Sequence, residues 1–292
     1  MPRPTITVGL GNNRGWQALA WAVDEATTTG GRLVICNVTA VDSPLAHRPG
    51  GVPLGLLELA EPAVARAVAA ARTRLGGDRV SVVVRTGDPG RALRELASRA
   101  AVVAVGAPER SGWDARRSTT HQVVTHASCP VVVVRAVTGR RGPFAGHVVI
   151  GVDGSPPSRA ALEYGFEYAA GHRRPLTAVH VTGAAREDLW FDERLLETHF
   201  PTEPAALRLL AEEVEPWQRK YPEVLVRRAV YAGRAVPGLL RAAASAAILV
   251  VGDRGRGLAA RAVLGSVSHG VIDHAEGPVC VVPADSRREV RP

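Results

Sequence analysis

Two short stretches of this chain carry residues whose types and spacing suit phosphate chemistry. One is Gly151-Val152-Asp153-Gly154-Ser155. The other is Gly252-Asp253-Arg254-Gly255-Arg256-Gly257-Leu258, followed by Gly265-Ser266-Val267-Ser268. Glycine has no Cβ, so successive backbone N–H groups can approach a phosphate closely. Ser266 suits the N-cap of a following helix, and the positive end of that helix favours an anion. Together the two stretches read as a nucleotide cradle. It is neither of the two common phosphate loops. No Gly-Lys-Ser/Thr ending supplies the lysine that reaches the β/γ-phosphates in a Walker loop. No Gly-x-Gly-x-x-Gly follows the first strand of this half, which argues against a dinucleotide.

Groups for catalysis are sparse. Asp153 could hold Mg²⁺ on a triphosphate, but a single carboxylate does not make an efficient ATPase, and no second carboxylate is placed by sequence for acid–base work. A Gly-x-Ser-x-Gly nucleophile elbow is absent from the chain. His121 and His126 recur as His269 and His274. Since both copies keep them, they are assigned to the fold, through capping, helix packing or contact with the final strand, and no metal is assigned. His269 and His274 stand five apart on one helix, a spacing that does not share a face. Cys36, Cys129 and Cys280 each lie in or beside an apolar run, which reads as buried thiols and not as a disulfide or metal site. Trp190 and Phe191, in the charged stretch from Arg186 to Arg194, are expected to cover a domain seam or form a lid.

What positions the cradle is a chain that repeats itself. The stretch from Gly87 to Gly106 returns as Gly233 to Gly252, an offset of 146 residues in a chain of 292. His121…Pro130-Val-Val-Val-Val returns as His269…Pro278-Val-Cys-Val-Val at an offset of 148. The openings correspond as well, Ile6-Thr-Val-Gly9 with Val149-Ile-Gly151. The domains are placed at residues 1–138 and 145–285, joined by the turn-rich Thr138–Gly146. In the second copy strands are predicted near 147–152, 176–182, 224–231, 247–252 and 279–282, with helices near 157–171, 202–219, 236–244 and 266–275. Strand–helix alternation predicts a doubly wound parallel α/β sheet with right-handed crossovers. With strand order 3-2-1-4-5, both glycine stretches sit at the switch point where such sheets bind ligands. The last strands, Val131–Val134 and Val279–Val282, have no polar alternation, a liability at a free edge. They are expected to dock the halves together, or to dock two chains.

The spacing Gly252-x2-Gly255-x9-Gly265-Ser266 after the fourth strand, with His274-Ala-Glu-Gly-Pro278 and a valine strand behind it, resembles the ATP-binding signature of the universal stress protein family. The resemblance covers nearly the whole chain, twice over. It implies a tandem form with two five-stranded, Rossmann-like sheets of the adenine nucleotide alpha hydrolase-like kind. It further implies ATP, with or without Mg²⁺, as the ligand. Gly252, Arg254, Gly255, Arg256, Gly257, Gly265, Ser266, Val267 and Ser268 would then surround phosphates and ribose, with Asp253 and Leu258 in the same loop. Asp153, beside Gly151 and Val152, would lie near adenosine or a phosphate-bound metal, and Val181 would offer a backbone contact to adenine. The first copy departs from this pattern. Gly106 is followed by Ala107-Pro108-Glu109-Arg110-Ser111, Arg117 stands at the place of Gly265, and Gly11 or Asn12 at that of Asp153. Its run from Gly106 to Ser118 is two residues shorter than that from Gly252 to Ser266. A degenerate loop that does not bind ATP in the same pose is therefore expected; the opposite reading makes Arg110, Arg116 and Arg117 a new anion site. A visible binding loop without a visible nucleophile favours a regulatory, stress-response module. The alternative is an enzyme of the wider alpha hydrolase-like group with slow ATP hydrolysis or transfer.

Composition excludes much else. Apolar residues make up 46% and charged residues 22%, too apolar for disorder. With aromatics at 4%, the core must be aliphatic. No apolar run approaches the roughly 20 residues of a membrane helix, and the opening residues show no apolar leader, which points to a cytoplasmic protein. The net charge of +8 is almost entirely arginine, since Lys220 is the only lysine. These arginines alternate with acids along the helices as on a solvated face, which argues against nucleic acid. A homodimer and an unidentified regulatory partner stay open.

Overall fold

The computed structural model describes residues 3–11, 15–40, 43, 45, 52–108, 118–135, 142–183, 204–255 and 264–284. The first half runs β1 (Thr5–Leu10), α1 (Gly15–Thr29), β2 (Arg32–Thr39), α2 (Leu54–Ala60), α3 (Pro62–Leu75), β3 (Val80–Thr86), α4 (Pro89–Ala97), β4 (Val102–Gly106), α5 (Thr119–His126) and β5 (Val131–Val134). The second half runs β6 (Val148–Gly151), α6 (Pro156–His172), β7 (Leu176–Thr182), α7 (Pro204–Lys220), β8 (Val226–Ala232), α8 (Ala235–Ala242), β9 (Ile248–Gly252), α9 (Ser266–His274) and β10 (Val279–Val282). Proline at the first helical position opens α3, α4 and α6, where its missing N–H has no helical partner to lose. Gly87 and Gly233 precede α4 and α8 at φ of 92° and 109°, a left-handed turn that costs glycine nothing.

The two expected sheets are one. Ten strands form a single sheet in the order β3-β2-β1-β4-β5-β10-β9-β6-β7-β8. Each half keeps the 3-2-1-4-5 order with parallel pairing throughout. At the junction β5 and β10 pair antiparallel, Val131 with Val281 and Val133 with Val279. The docking expected of the final strands therefore takes place within the chain. All eight residues of these strands are at most 5% exposed, as suits the middle of a sheet covered on both faces. The antiparallel junction turns one half about, so the carboxyl ends of the parallel strands open on opposite edges of the sheet.

Two apolar layers complete the core. One face is covered by α1, α3, α6 and α7, around fully buried Ile6, Ile35, Leu57, Phe166 and Leu210. Leu93, Val123, Leu239 and Ile272 line the other face, from α4, α5, α8 and α9. Phe166 carries α7 by stacking near Trp217 and Tyr221, at centroid distances of 6.3 and 6.2 Å. The three cysteines are buried; burial pushes the Cys36 thiol up to about 11, against a smaller opposing pull from Arg85, and it also pushes the Cys280 thiol up. Both stay protonated and inert near neutral pH.

The halves also meet through helices. His172 of α6 reaches Glu25 of α1 at 2.9 Å, while its ring stacks on Tyr168 with centroids 3.8 Å apart. Burial lowers the His172 pKa, but the Glu25 hydrogen bond and charge, with the Tyr168 carbonyl, outweigh it, Arg174 opposing weakly, and the net value rises above 6.5. A histidine whose folded pKa exceeds its unfolded value contributes stability that is complete below the unfolded value and lost as pH rises through the folded one. Urea midpoints are thus expected to fall as pH rises from about 6.5, and to fall less steeply in His172→Gln. Equal slopes in the two proteins would remove the pair from the seam.

Candidate functional site

The second-half cradle assembles at the carboxyl ends of β6 and β9. After β6, Asp153 closes a local turn. Its Oδ1 accepts the Ser155 backbone N–H at 2.9 Å, and its own N–H donates to Ser158 Oγ at 3.1 Å. Ser155 then caps α6 by accepting the Ser158 N–H at 3.3 Å, so that three residues aim one carboxylate and one helix N-terminus at the cleft. After β9, the Asp253 N–H donates to Val282 at 2.9 Å and the Gly265 N–H returns to the Asp253 carbonyl at 2.8 Å. That second bond closes the loop at its base. Arg254 lies folded against Asp253 at 3.1 Å, with 12% and 17% of their side chains exposed.

The glycines are needed for closeness. A Cβ on Gly265 would stand 3.1 Å from the Arg254 Cα, and one on Gly255 3.1 Å from Asp153 Oδ2. A Cβ on Gly252 would meet the backbone of Pro157 at 2.7 Å. Gly151 is held against Leu239 in the same way, at 3.3 Å. The two stretches singled out by spacing are thus in contact, Gly255 against Asp153.

The cleft between them has a volume of about 110 Å³. Its apolar lining comes from Val152, Val179, Val181, Ala235, Leu239 and Val251, and its polar lining from Asp153, Ser158, His180, Arg254, Gly255 and Ser268. At well under the ~300–1,000 Å³ of a common ligand pocket, the enclosed part holds a base-sized group and leaves the rest of a ligand at the mouth. A larger groove of about 590 Å³ lies between α1 and α3, lined by Trp16, Leu19, Arg66 and Arg74 among others. Among the described residues its lining comes wholly from α1 and α3, with no loop N–H groups.

Of the residues expected at the site, Gly151, Val152, Asp153, Val181, Gly252, Arg254, Gly255, Val267 and Ser268 line this cleft. Asp253, Gly265 and Ser266 stand behind it, as the loop's base and the start of α9. Arg256, Gly257 and Leu258 lie outside the described residues, as do Trp190, Phe191, Glu109, Arg110, Arg116 and Arg117. Two roles change. Ser266 is the first helical residue of α9, and Gly265 takes the N-cap position without a side-chain cap. This follows from Gly265 being pressed against Arg254 in extended conformation, which leaves the serine helical. Ser268 spends its hydroxyl on the Gly252 carbonyl at 2.6 Å; Thr120 does the same to Gly106 at 2.8 Å in the first half. That latch belongs to the fold.

Sequence reasoning missed Ser158 and the role of His180. His180 Nδ1–H donates to the Val152 carbonyl at 2.6 Å and ties β7 to the end of β6. The signal was there: a polar residue inside the apolar strand Leu176–Thr182, and a second serine three residues after Ser155. The first half lacks the acid outright. β1 and β4 pair Ile6 with Val102, and β6 and β9 pair Val148 with Ile248, which places Gly11 at the position of Asp153. His121 and His269 meet across the junction, their ring centroids 4.6 Å apart and their planes tilted by 57°, whereas His126 and His274 are exposed.

Comparison with known proteins now bears on this geometry. The model of the universal stress protein family matches the chain twice, at residues 2–135 and 145–283. The chain belongs to the universal stress protein family. It is 33% identical over 229 residues to universal stress protein Rv2005c of Mycobacterium tuberculosis, covering 75% of each chain. A universal stress protein of Mycolicibacterium smegmatis is 31% identical over 279 residues, covering 91% of this chain and 92% of its own. The crystal structure of a universal stress protein from Archaeoglobus fulgidus superimposes with a TM-score of 0.66 at 17% identity, over 97% of both chains, a likeness of fold. The double family match makes this a tandem universal stress protein. Among the described residues, no helix is long and apolar enough to cross a membrane.

Proposed function

We propose that the second half of this universal stress protein binds ATP and that the chain acts as a nucleotide-responsive regulatory module. The contact of Gly255 with Asp153, which joins the two glycine stretches across one cleft, carries the reading. The apolar lining suits adenine, with the backbone at Val181 within reach. Loop N–H groups between Gly252 and Gly255, and those at the start of α9, suit the phosphates, where the helix dipole adds attraction. Asp153 and Asp253 are the carboxylates available to a Mg²⁺ carried in on the triphosphate, and Mg²⁺ would neutralise phosphate charge. Arg254 can leave Asp253 for a phosphate, a stronger and bidentate partner. The hydroxyls and the imidazole that line the cleft are already engaged, Ser158 with the Asp153 N–H, Ser268 with the Gly252 carbonyl and His180 with the Val152 carbonyl, which favours holding ATP over turning it over.

Denaturing the purified chain and identifying what it releases tests this directly. One equivalent of adenine nucleotide per chain is expected, with ATP turnover no faster than a few per hour. A chain that releases none and gives no calorimetric heat with millimolar ATP would refute binding. Repeated turnover abolished by Asp153→Ala would refute the binding-module reading and favour an enzyme.

A further inference from the structure

A second polar cluster lies away from the cleft, on the seam. His121 comes from α5 of the first half, and His269 and Asp273 from α9 of the second. One ligand-capable atom from each lies within 4.8 Å of the others. Asp273 is central: its Oδ1 is 3.5 Å from His121 Nε2 and its Oδ2 is 3.5 Å from His269 Nε2. The side chains of His121 and Asp273 are 5% and 6% exposed, that of His269 20%.

We propose that His121, His269 and Asp273 form a binding site for a zinc-class divalent metal ion that staples the two halves together. Four observations carry this. First, 3.5 Å is too long for a charge-assisted N–H···O bond, which runs about 2.7–2.9 Å. Each separation, one to each carboxylate oxygen, is near the roughly 3.3–3.5 Å between two ligands that share a tetrahedral ion at bonds of about 2.0–2.2 Å, and the three ligand atoms lie within 4.8 Å of one another. Second, Asp273 Oδ1 is buried without a hydrogen-bond partner, a costly state for a carboxylate that a cation would relieve. Third, His121 Nδ1 sits 3.1 Å from Ser118 Oγ, the outer hydrogen bond that orients a metal-binding imidazole with its other nitrogen inward. Fourth, two imidazoles and one carboxylate are ligands that suit Zn²⁺ and its neighbours in the first transition row. The partly exposed side of His269 leaves room for a water as fourth ligand.

The site exists only because the halves pack about a near-twofold junction. His121 and His269 are equivalent positions of the repeat, brought together by the pairing of β5 with β10. Asp273 breaks the symmetry, since its counterpart is Thr125, whose hydroxyl is spent on the His121 carbonyl at 2.7 Å. The His269 N–H is bonded to the Gly265 carbonyl at 2.9 Å, so an ion here would also fix the helix that begins at the nucleotide loop. The site does not depend on the proposed nucleotide reading, and its test contains no nucleotide.

The full chain, stripped with chelator and dialysed, would be titrated with Zn²⁺ alone by calorimetry and thermal melting. One equivalent should bind and raise the melting temperature, with affinity falling at acid pH as the imidazoles protonate. His121→Gln and Asp273→Asn should each weaken uptake about a hundredfold or more, beyond the loss typical of outer-shell changes. His274→Gln, on an exposed residue of the same helix, should bind as wild type. Co²⁺ gives a readout that needs no variant: the wild-type complex should show the visible band of an ion with nitrogen and oxygen ligands in low coordination. No uptake by wild type, an aqua-ion spectrum, or undiminished binding in His121→Gln would each overturn the proposal.

Discussion

Gly265→Arg is expected to abolish ATP binding by the second half while leaving the fold in place. Arginine is the residue the first half carries at this position, as Arg117, so the repeat has already made the exchange once. Any Cβ on Gly265 would stand 3.1 Å from the Arg254 Cα and 3.5 Å from the Gly255 N. The Arg254 backbone must give by a few tenths of an ångström, while 3.5 Å is ordinary contact, so the loop opens at its base. Opening it turns the N–H groups around Gly255 and the start of α9 away from a common point. Losing two charge-assisted bonds to phosphate, at about 1.5–3 kcal/mol each, weakens binding at least about a hundredfold. The backbone at Gly265, at φ −63° and ψ 152°, is open to any residue, so the variant should keep its circular dichroism. Gly265→Val should lose binding equally, which separates the steric effect from the added charge. The converse change, Arg117→Gly, should restore nothing, because the first-half loop is two residues short and has Gly11 in place of Asp153. Calorimetry that finds two equivalent sites on the wild type would defeat the one-site reading; unchanged affinity in Gly265→Val would remove the loop from the site.

Val132→Asp should be the most damaging single change to stability. Val132 is wholly buried and pairs with Cys280, itself wholly buried, at the centre of the β5–β10 junction. A carboxyl group there has no water and no partner strand to spare a donor, since both strands already spend their N–H groups on neighbours. Burying it costs several kcal/mol whether it ionises or takes up a proton, and a loss of at least about 4 kcal/mol follows. Val132→Ile, which keeps the β-branch but adds a methylene to a packed site, should cost about 1–3 kcal/mol. Urea unfolding followed by tryptophan fluorescence measures both. A loss under about 1 kcal/mol for the aspartate would show that the halves do not depend on this junction.

Much of the second half could be read from its residues because the signals there are local. The short valine and isoleucine runs at β6, β9 and β10 describe strands covered on both faces, and prolines in the first helical turn mark α6 and α8. The loop was legible for the same reason: Gly252, Gly255 and Gly265 are each a backbone requirement written at its own position. Ser266 was misjudged because a cap depends on where the chain first turns helical, and that is set by Gly265 against Arg254, a contact between residues eleven apart. The latch made by Ser268 went unread because a hydroxyl beside a loop says nothing of the carbonyl it will reach. His180 went unassigned because its partner, Val152, lies on another strand.

The residues alone determined the duplication, the strand–helix alternation within each copy, the inequality of the two loops and the family. All of these rest on spacing along the chain and on which residues tolerate a given backbone. Only the tertiary structure decided that the two sheets are one, because strand pairing is a matter of backbone donors and acceptors that look alike in every valine run. For the same reason it alone decided what the histidines are near. His269 and His274 cannot share a face of their own helix, yet His269 shares a space with Asp273 one turn on and with His121 from the other half. A repeat read as text places equivalent residues in parallel columns; an antiparallel junction brings them together.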